Sequence, residues 1–126
     1  MKILVVGQNP GNRTFRKRDS APNIGSSIGR LYDWMSYMNI DIYSFHNVCT
    51  QTGNVTKKDI DYELLKSVTE GYDKIVALGE FASEALKHID RDYFKLPHPS
   101  GLNRKLNDQS FVKKVLYDCK KYIYFS

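Results

Sequence analysis

Short strand-like segments alternate with segments of helical periodicity along most of this chain. The first segment, MKILVV, is a continuous apolar run that ends at Gly7, as in a strand buried on both faces. Three later segments combine β-branched or aromatic residues with flanking turn residues. The sequence therefore predicts four strands, at Met1–Val6, Asp41–Val48, Lys74–Leu78 and Tyr93–Leu96.

Between these strands, apolar residues recur every three or four positions, which is typical of amphipathic helices. In the first helix the repeat is Ile28, Leu31, Met35 and Met38, and Trp34 is expected to pack in the core. The second helix should turn Ile60, Leu64 and Leu65 inward, and KYIYFS should form a short apolar tail after the last one. The predicted helices run from Ser26 or Ser27 to about Met38, from Lys57 to Glu70, from Glu80 to about His88 and from Asp108 to about Lys121.

Strands that alternate with helices predict an α/β fold. We expect a three-layer αβα sandwich with a central four-stranded parallel sheet. The 126 residues suit one domain over 1–126, and a hydrophobic fraction of 41% argues against global disorder.

The formal net charge of +5 favours an anionic partner, most often nucleic acid, although many basic proteins have no such partner. Cys49 and Cys119 form no CxxC motif and are expected to be reduced, partly buried thiols, with no metal site. MKILVV is too short for a signal-peptide core, and no apolar run is long enough for a membrane span. We therefore expect a cytoplasmic or nucleoid-associated protein that is not secreted.

Polar loops follow all four predicted strands: GQNPG, HNVCTQTG, LGE and HPSGLNR. In parallel sheets, ligands bind at the carboxyl ends of the strands. GQNPG lacks the GK[ST] of a phosphate-binding loop and the GxGxxG of a dinucleotide loop. It offers the amides of Gln8 and Asn9, which can position a water or contact a base edge, although Asn-Pro-Gly is also ordinary turn chemistry.

Two further side chains in these loops have candidate roles. His98, held between Pro97 and Pro99, is either hydrogen-bonded within its loop or an electrophile that stabilises negative charge on a substrate oxygen. Asn47 either caps a strand end or matches the N3–H and O4 of a uracil-type base, because an amide both donates and accepts.

Together these segments resemble the uracil-DNA glycosylase superfamily. GQNPG resembles its first motif, in the asparagine form of the mismatch-specific and single-strand-selective enzymes. LPHPSGLNR resembles the second motif, with His98 where the mismatch-specific enzyme has asparagine. SFHNVC resembles the segment that carries the base-reading asparagine, and VALGEFASEAL a strand–helix unit common to several branches. These matches cover nearly the whole chain, in the expected order.

The resemblance implies a role for each matched residue. Asn9 would hold the water that attacks the sugar, with Gln8 beside the base. Asn47 would select the uracil-type edge, and His98 would hydrogen-bond O2 of the departing base. Leu102 would enter the base stack as the nucleotide flips out, unless this leucine folds onto the core. The residues expected to contact DNA are Arg13, Arg16, Lys17, Arg18, Ser100, Gly101, Leu102 and Arg104, although the basic run is equally typical of a solvated loop.

The chain departs from the superfamily pattern at two base-binding positions. Gly11 stands where strict uracil enzymes have a tyrosine that excludes a C5 methyl group, so C5-substituted bases should fit. Asn23 or Ile24, in PNIGSS, occupies the place of the phenylalanine that usually lies under the base. Phe15 or Tyr32 is a possible substitute. The cysteines that bind an iron–sulfur cluster in one branch have no counterpart here.

The resemblance leads to three hypotheses. The first is a monofunctional, monomeric glycosylase that removes uracil or a related C5-substituted base from single- or double-stranded DNA without a cofactor or metal. The second is a non-catalytic member that binds DNA or a modified base. The third is an N-glycosidase for free nucleosides or nucleotides, for which neither Leu102 nor the basic run around Arg16 would be needed.

Overall fold

The protein is an α/β sandwich built on four parallel strands. The computed structural model describes residues 1–8, 27–51, 53–99 and 104–125, with side chains for all of these except Ser27, Ile28 and Arg104. The strands pair in the order β2-β1-β3-β4, and every pairing is parallel. They are β1 at Ile3–Gly7, β2 at Ser44–Asn47, β3 at Lys74–Leu78 and β4 at Phe94–Leu96. The predicted fold class is confirmed.

In the part of the chain that the structure describes, four helices cover the two faces of this sheet. They are α1 at Ser27–Tyr37, α2 at Tyr62–Thr69, α3 at Gly79–His88 and α4 at Gln109–Phe125. Single 3₁₀ turns at Lys57–Asp59 and Arg104–Asn107 precede α2 and α4. Within the described ranges, none of these helices is long and apolar enough to cross a membrane.

Alternation along the strands divides the core into two layers, because successive side chains point to opposite faces of the sheet. Val5 and Val76 pack with residues of α1 and α4, including the buried Trp34. Leu4 and Ala77, each one residue away, pack with residues of α2 and α3. Fully burying one large aliphatic side chain is worth about 1.5–3 kcal/mol, so both layers stabilise the sheet and its strand ends.

The single helix predicted over Lys57–Glu70 is wrong, because capping interactions divide this segment. The Asp59 carboxylate accepts a hydrogen bond from the Thr56 backbone N–H at 2.8 Å, which caps the start of the 3₁₀ turn. Asp61 then accepts from the Leu64 backbone N–H at 3.0 Å and begins α2. Leu64, expected inside, is 46% exposed, whereas Leu65 is fully buried as predicted.

Besides this segment, two element boundaries differ from the sequence prediction by three or more residues. β2 begins at Ser44 rather than Asp41, since the register with β1 starts at Leu4 and Ser44, and Ile42 is 87% exposed. The predicted apolar tail instead continues α4 to Phe125. Ile123 is buried in the same core layer as the earlier α4 residues, which explains why the helix extends through this segment.

Candidate functional site

The carboxyl ends of the four strands lie along one edge of the sheet. Gly7 pairs with Asn47 at the ends of β1 and β2, and Leu78 pairs with Leu96 at the ends of β3 and β4. The segments that follow Gly7, Asn47, Leu78 and Leu96 therefore start side by side. This is the edge at which parallel α/β sheets bind ligands.

The β1–β2 pairing continues past the strand ends and fixes the start of the first loop. The Val48 N–H donates to the Gly7 carbonyl at 3.0 Å, and the Cys49 N–H donates to the Gln8 carbonyl at 2.9 Å. Gln8 and Asn47 are both half-buried. The backbone of Gln8 is thus held beside the Asn47 strand end immediately before the chain reaches Asn9.

The side chain of Asn47 lies against the backbone of Gly7. A Cβ atom added to Gly7 would be 2.8 Å from Asn47 Oδ1, closer than side-chain carbons approach other atoms. The amide therefore leans from the edge strand β2 over the end of the central strand β1. Its half-buried position keeps its donor and acceptor groups available at the loop edge.

Phe45 shares this corner, and the sequence analysis did not identify it. It lies two residues before Asn47 on β2, so both side chains project from the same face of the sheet. Its Cζ atom would also be 2.8 Å from a Cβ at Gly7, and the ring is 48% exposed. The two-residue spacing from Asn47 is the sequence signal that would have indicated it.

His98 lies at the opposite side of the same edge, just beyond β4. A Cβ atom on Gly79 would be 3.1 Å from His98 Cβ and 3.4 Å from its Cδ2, so the imidazole packs on the first residue of α3. Burial lowers the pKa of His98 below its usual 6.5. The ring is therefore neutral near pH 7, with one N–H that can donate.

The loop that carries His98 is attached to α1. Arg30 donates from Nη1 to the carbonyl oxygen of Pro99 at 3.3 Å, in a partly buried contact. Pro99 itself is buried. Arg30 thus restrains the residue next to His98, a role that sequence reasoning missed because the two segments are far apart along the chain.

Most of the other predicted site residues lie outside the described ranges. The structure describes the backbone of Arg104, where the 3₁₀ turn begins, but not its side chain. The proposed substitute Phe15 is also outside, whereas Tyr32 is on α1 and 47% exposed. The predictions outside the described ranges concern Asn9, Gly11, Arg13, Arg16, Lys17, Arg18, Asn23, Ile24, Ser100, Gly101 and Leu102.

Both cysteines are free and buried. Burial raises the pKa of the Cys49 thiol, with a further contribution from the charge of Asp59, and raises the pKa of Cys119 to about 12. Neither thiol is a nucleophile near neutral pH. Among the residues that the structure describes, no three His, Cys, Asp or Glu side chains are grouped to hold a metal ion.

A cleft of about 470 Å³ lies away from the Asn47 corner, between α3 and the segment before α2. Its apolar lining includes Ile60 and Phe81, and the Tyr62 ring lies on the His88 ring at 4.1 Å between centroids. Glu80 on its rim is paired with Lys95 at 2.6 Å. Neither Asn47 nor His98 lines this cleft, so we place the candidate site at the strand ends instead.

The imidazole of His98 should titrate with a midpoint below 6.5, because burial disfavours its charged form. Folding favours the neutral form of His98. The free energy of unfolding that this preference contributes is therefore present in full above pH 6.5. It is lost as the pH falls through the folded-state pKa. An NMR pH titration, with His98→Gln to assign the signal, measures the midpoint directly. A midpoint at or above 6.5 would show that the ring is not desolvated.

Comparison with known protein families adds one finding to this geometry. A family model described as the Uracil DNA glycosylase superfamily matches residues 1–120. No curated protein matches the chain. The matched range contains all four strands and every loop at the candidate edge.

Proposed function

Since the chain belongs to the uracil-DNA glycosylase superfamily, we propose that it hydrolyses the N-glycosidic bond of uracil or a C5-substituted uracil-type base flipped out of DNA. Superfamily membership itself indicates a hydrolase of the DNA glycosylase class that acts in DNA repair. The observation that supports the finer proposal is that Asn47 and a neutral His98 lie at the same sheet edge, each packed on a glycine.

In the proposed reaction, water adds to C1′ of the sugar while the bond from C1′ to N1 of the base breaks. The electron pair of that bond leaves with the base, which then takes up the proton released by the water. The neutral imidazole of His98 donates its N–H to O2 of the departing base, where negative charge develops. In a half-buried site such a donor acts more strongly than in water.

The proposal assigns water binding to Asn9 and base selection to Asn47. An amide oxygen at Asn9 accepts a hydrogen bond from the water and orients it towards C1′. The Asn47 amide donates to O4 and accepts from N3–H of uracil, whereas cytosine presents the opposite pattern at these two atoms. Gly11 leaves space at C5, so we propose that 5-hydroxymethyluracil and thymine are accepted as well as uracil.

DNA is the partner that the superfamily implies, and the net charge of +5 agrees with it. We propose that the basic run at Arg13, Arg16, Lys17 and Arg18 contacts phosphates beside the site. In the HPSGLNR loop, Leu102 would fill the space left by the flipped nucleotide, and Arg104 would contact the DNA backbone. A monomeric, cytoplasmic or nucleoid-associated enzyme is part of the same proposal.

Phe45→Leu should weaken productive binding of the flipped base by about 5- to 150-fold, since stacking on an aromatic ring is worth about 1–3 kcal/mol per base. Phe45 is a candidate because its half-exposed ring lies beside Asn47 on one face of β2. The measurement is the enzyme concentration that gives half the maximal single-turnover rate on an oligonucleotide with one unpaired uracil.

Tyr32→Leu is the matched control, because Tyr32 is equally exposed but lies on α1. If Phe45 stacks on the base, Tyr32→Leu should reach half its maximal rate at the same enzyme concentration as the parent. If Tyr32→Leu weakens productive binding and Phe45→Leu does not, Tyr32 is the residue that stacks on the base.

The proposed function is tested with labelled oligonucleotides that carry uracil, thymine, 5-hydroxymethyluracil or cytosine at one position. Each base is placed opposite A, opposite G and unpaired, and abasic sites are converted to strand breaks by alkali. We expect breaks at the three uracil-type bases, fastest where the base is mismatched or unpaired, because such a base flips at lower cost. Binding without breaks would favour the non-catalytic alternative, and cleavage of free nucleosides alone would favour a nucleoside hydrolase.

A further inference from the structure

Asn47 is the last residue of the outer strand β2, and His98 lies two residues after the end of the other outer strand, β4. β2 and β4 are separated by the central strands β1 and β3. Neighbouring strands lie about 4.8 Å apart, so the outer strands are roughly 14 Å apart. Two side chains can contact one pyrimidine across this distance only if both lean inward over the central strands.

Each of these two side chains packs on a glycine at the end of a central strand. Asn47 Oδ1 lies over Gly7, the last residue of β1, and the His98 imidazole lies over Gly79, the residue after β3. Because β1 and β3 are neighbours, the two glycines bring the amide and the imidazole towards the middle of the edge.

The two glycines are required for different physical reasons. At Gly7 the reason is space alone, since a Cβ would approach Asn47 Oδ1 and Phe45 Cζ to 2.8 Å. At Gly79 a Cβ would approach His98 Cβ to 3.1 Å, and the backbone also has φ +85°, which a side chain disfavours. An alanine at Gly7 would force the side chains of Asn47 and Phe45 to shift, and an alanine at Gly79 would require His98 to move by a few tenths of an ångström.

We propose that Gly7 and Gly79 are positioning residues that set the spacing between the base-reading amide of Asn47 and the leaving-group donor of His98. This inference rests on the proposed function. A misplacement of about 1 Å in a reacting site can cost on the order of 100-fold in rate. The two alanine variants should therefore reduce activity far more than their stability loss alone explains.

The chain contains a matched control for each variant. Gly71→Ala is the control for Gly7→Ala, because nothing lies within 4 Å of a Cβ at Gly71 and its φ is not positive. Gly53→Ala is the control for Gly79→Ala, because Gly53 has φ +83° but nothing lies within 4 Å of its Cβ position. Gly53→Ala thus introduces the same backbone strain without displacing a site residue.

The experiment measures single-turnover kinetics on an oligonucleotide with unpaired uracil, together with melting temperature, in all four variants. We expect Gly79→Ala to lower the maximal rate by about 10- to 100-fold with little change in half-saturation, and to move the NMR titration midpoint of His98. Gly7→Ala should lower the rate on unpaired uracil, because the added Cβ displaces the Asn47 amide that reads the base. Gly53→Ala and Gly71→Ala should keep the parent rate, although Gly53→Ala loses the stability that its own backbone strain costs.

Parent rates in both Gly7→Ala and Gly79→Ala would overturn the inference and leave the proposed function intact. Rate losses in Gly53→Ala equal to those in Gly79→Ala would also overturn it for Gly79, because strain alone would then explain the effect. If Gly79→Ala does not fold, Gly7→Ala decides alone, since it adds no backbone strain. A parent protein that cleaves no substrate would refute the proposed function and this inference together.

Discussion

Replacing Asn9 with alanine should slow base removal roughly 100-fold or more while DNA affinity changes little, since the water that attacks the sugar loses its orienting amide. Asn9 directly follows Gln8, whose carbonyl accepts a hydrogen bond from Cys49 beside the Asn47 strand end. The loop therefore leaves β1 at the candidate edge. Single-turnover rates and fluorescence anisotropy with a labelled oligonucleotide measure the two quantities separately.

Asn54→Ala provides the control for this substitution, because Asn54 is exposed and outside the proposed site. We expect its rate and affinity to equal those of the parent. Equal rates in Asn9→Ala and the parent would remove Asn9 from the mechanism. A parallel loss of rate and affinity would assign Asn9 to DNA binding.

His98→Ala should lower the maximal rate by about 10²–10³-fold with a much smaller effect on binding, because the hydrogen bond to O2 strengthens as the base departs. The half-buried, neutral imidazole at the sheet edge supports this role. Single-turnover rates measured over a range of enzyme concentrations separate the chemical step from binding.

The informative companion variant is His98→Asn, which keeps a side-chain N–H donor at this position. It should recover part of the rate that His98→Ala loses, as the asparagine in the similar loop of the mismatch-specific enzymes suggests. A rise in half-saturation with an unchanged maximal rate in His98→Ala would make His98 a binding or structural residue.

The sheet could be predicted from the sequence because its strands differ sharply from their surroundings. β3 was predicted with its observed ends, Lys74 and Leu78, because an apolar run is bounded there by a turn and a glycine. The prediction of the second helix was wrong because hydrophobic periodicity carries no information about capping. Asp59 caps a 3₁₀ turn and Asp61 begins α2 within a segment whose apolar spacing looks continuous.

Candidate site residues could be proposed from the sequence only where they belong to a loop motif. His98 and Asn47 were proposed because polar residues at the ends of predicted strands coincide there with recognisable loop motifs, and their roles stay predictions. Gly7, Gly79 and Phe45 were not among the residues proposed from the sequence, because the roles proposed for them come from contacts between segments that are distant in sequence. Glycine is common in the turn after a strand, so its contact with a site residue is recognised only once the structure is known.

The central claim is that this sheet edge breaks the glycosidic bond of a uracil-type base, and the release of free base tests it most directly. Excess enzyme is incubated with an oligonucleotide carrying one unpaired uracil, and free uracil is quantified by mass spectrometry, with the cytosine oligonucleotide in parallel. We expect free uracil in a one-to-one ratio with abasic oligonucleotide, and no free cytosine. An oligonucleotide that is bound but remains intact, with no free uracil released, would contradict the account.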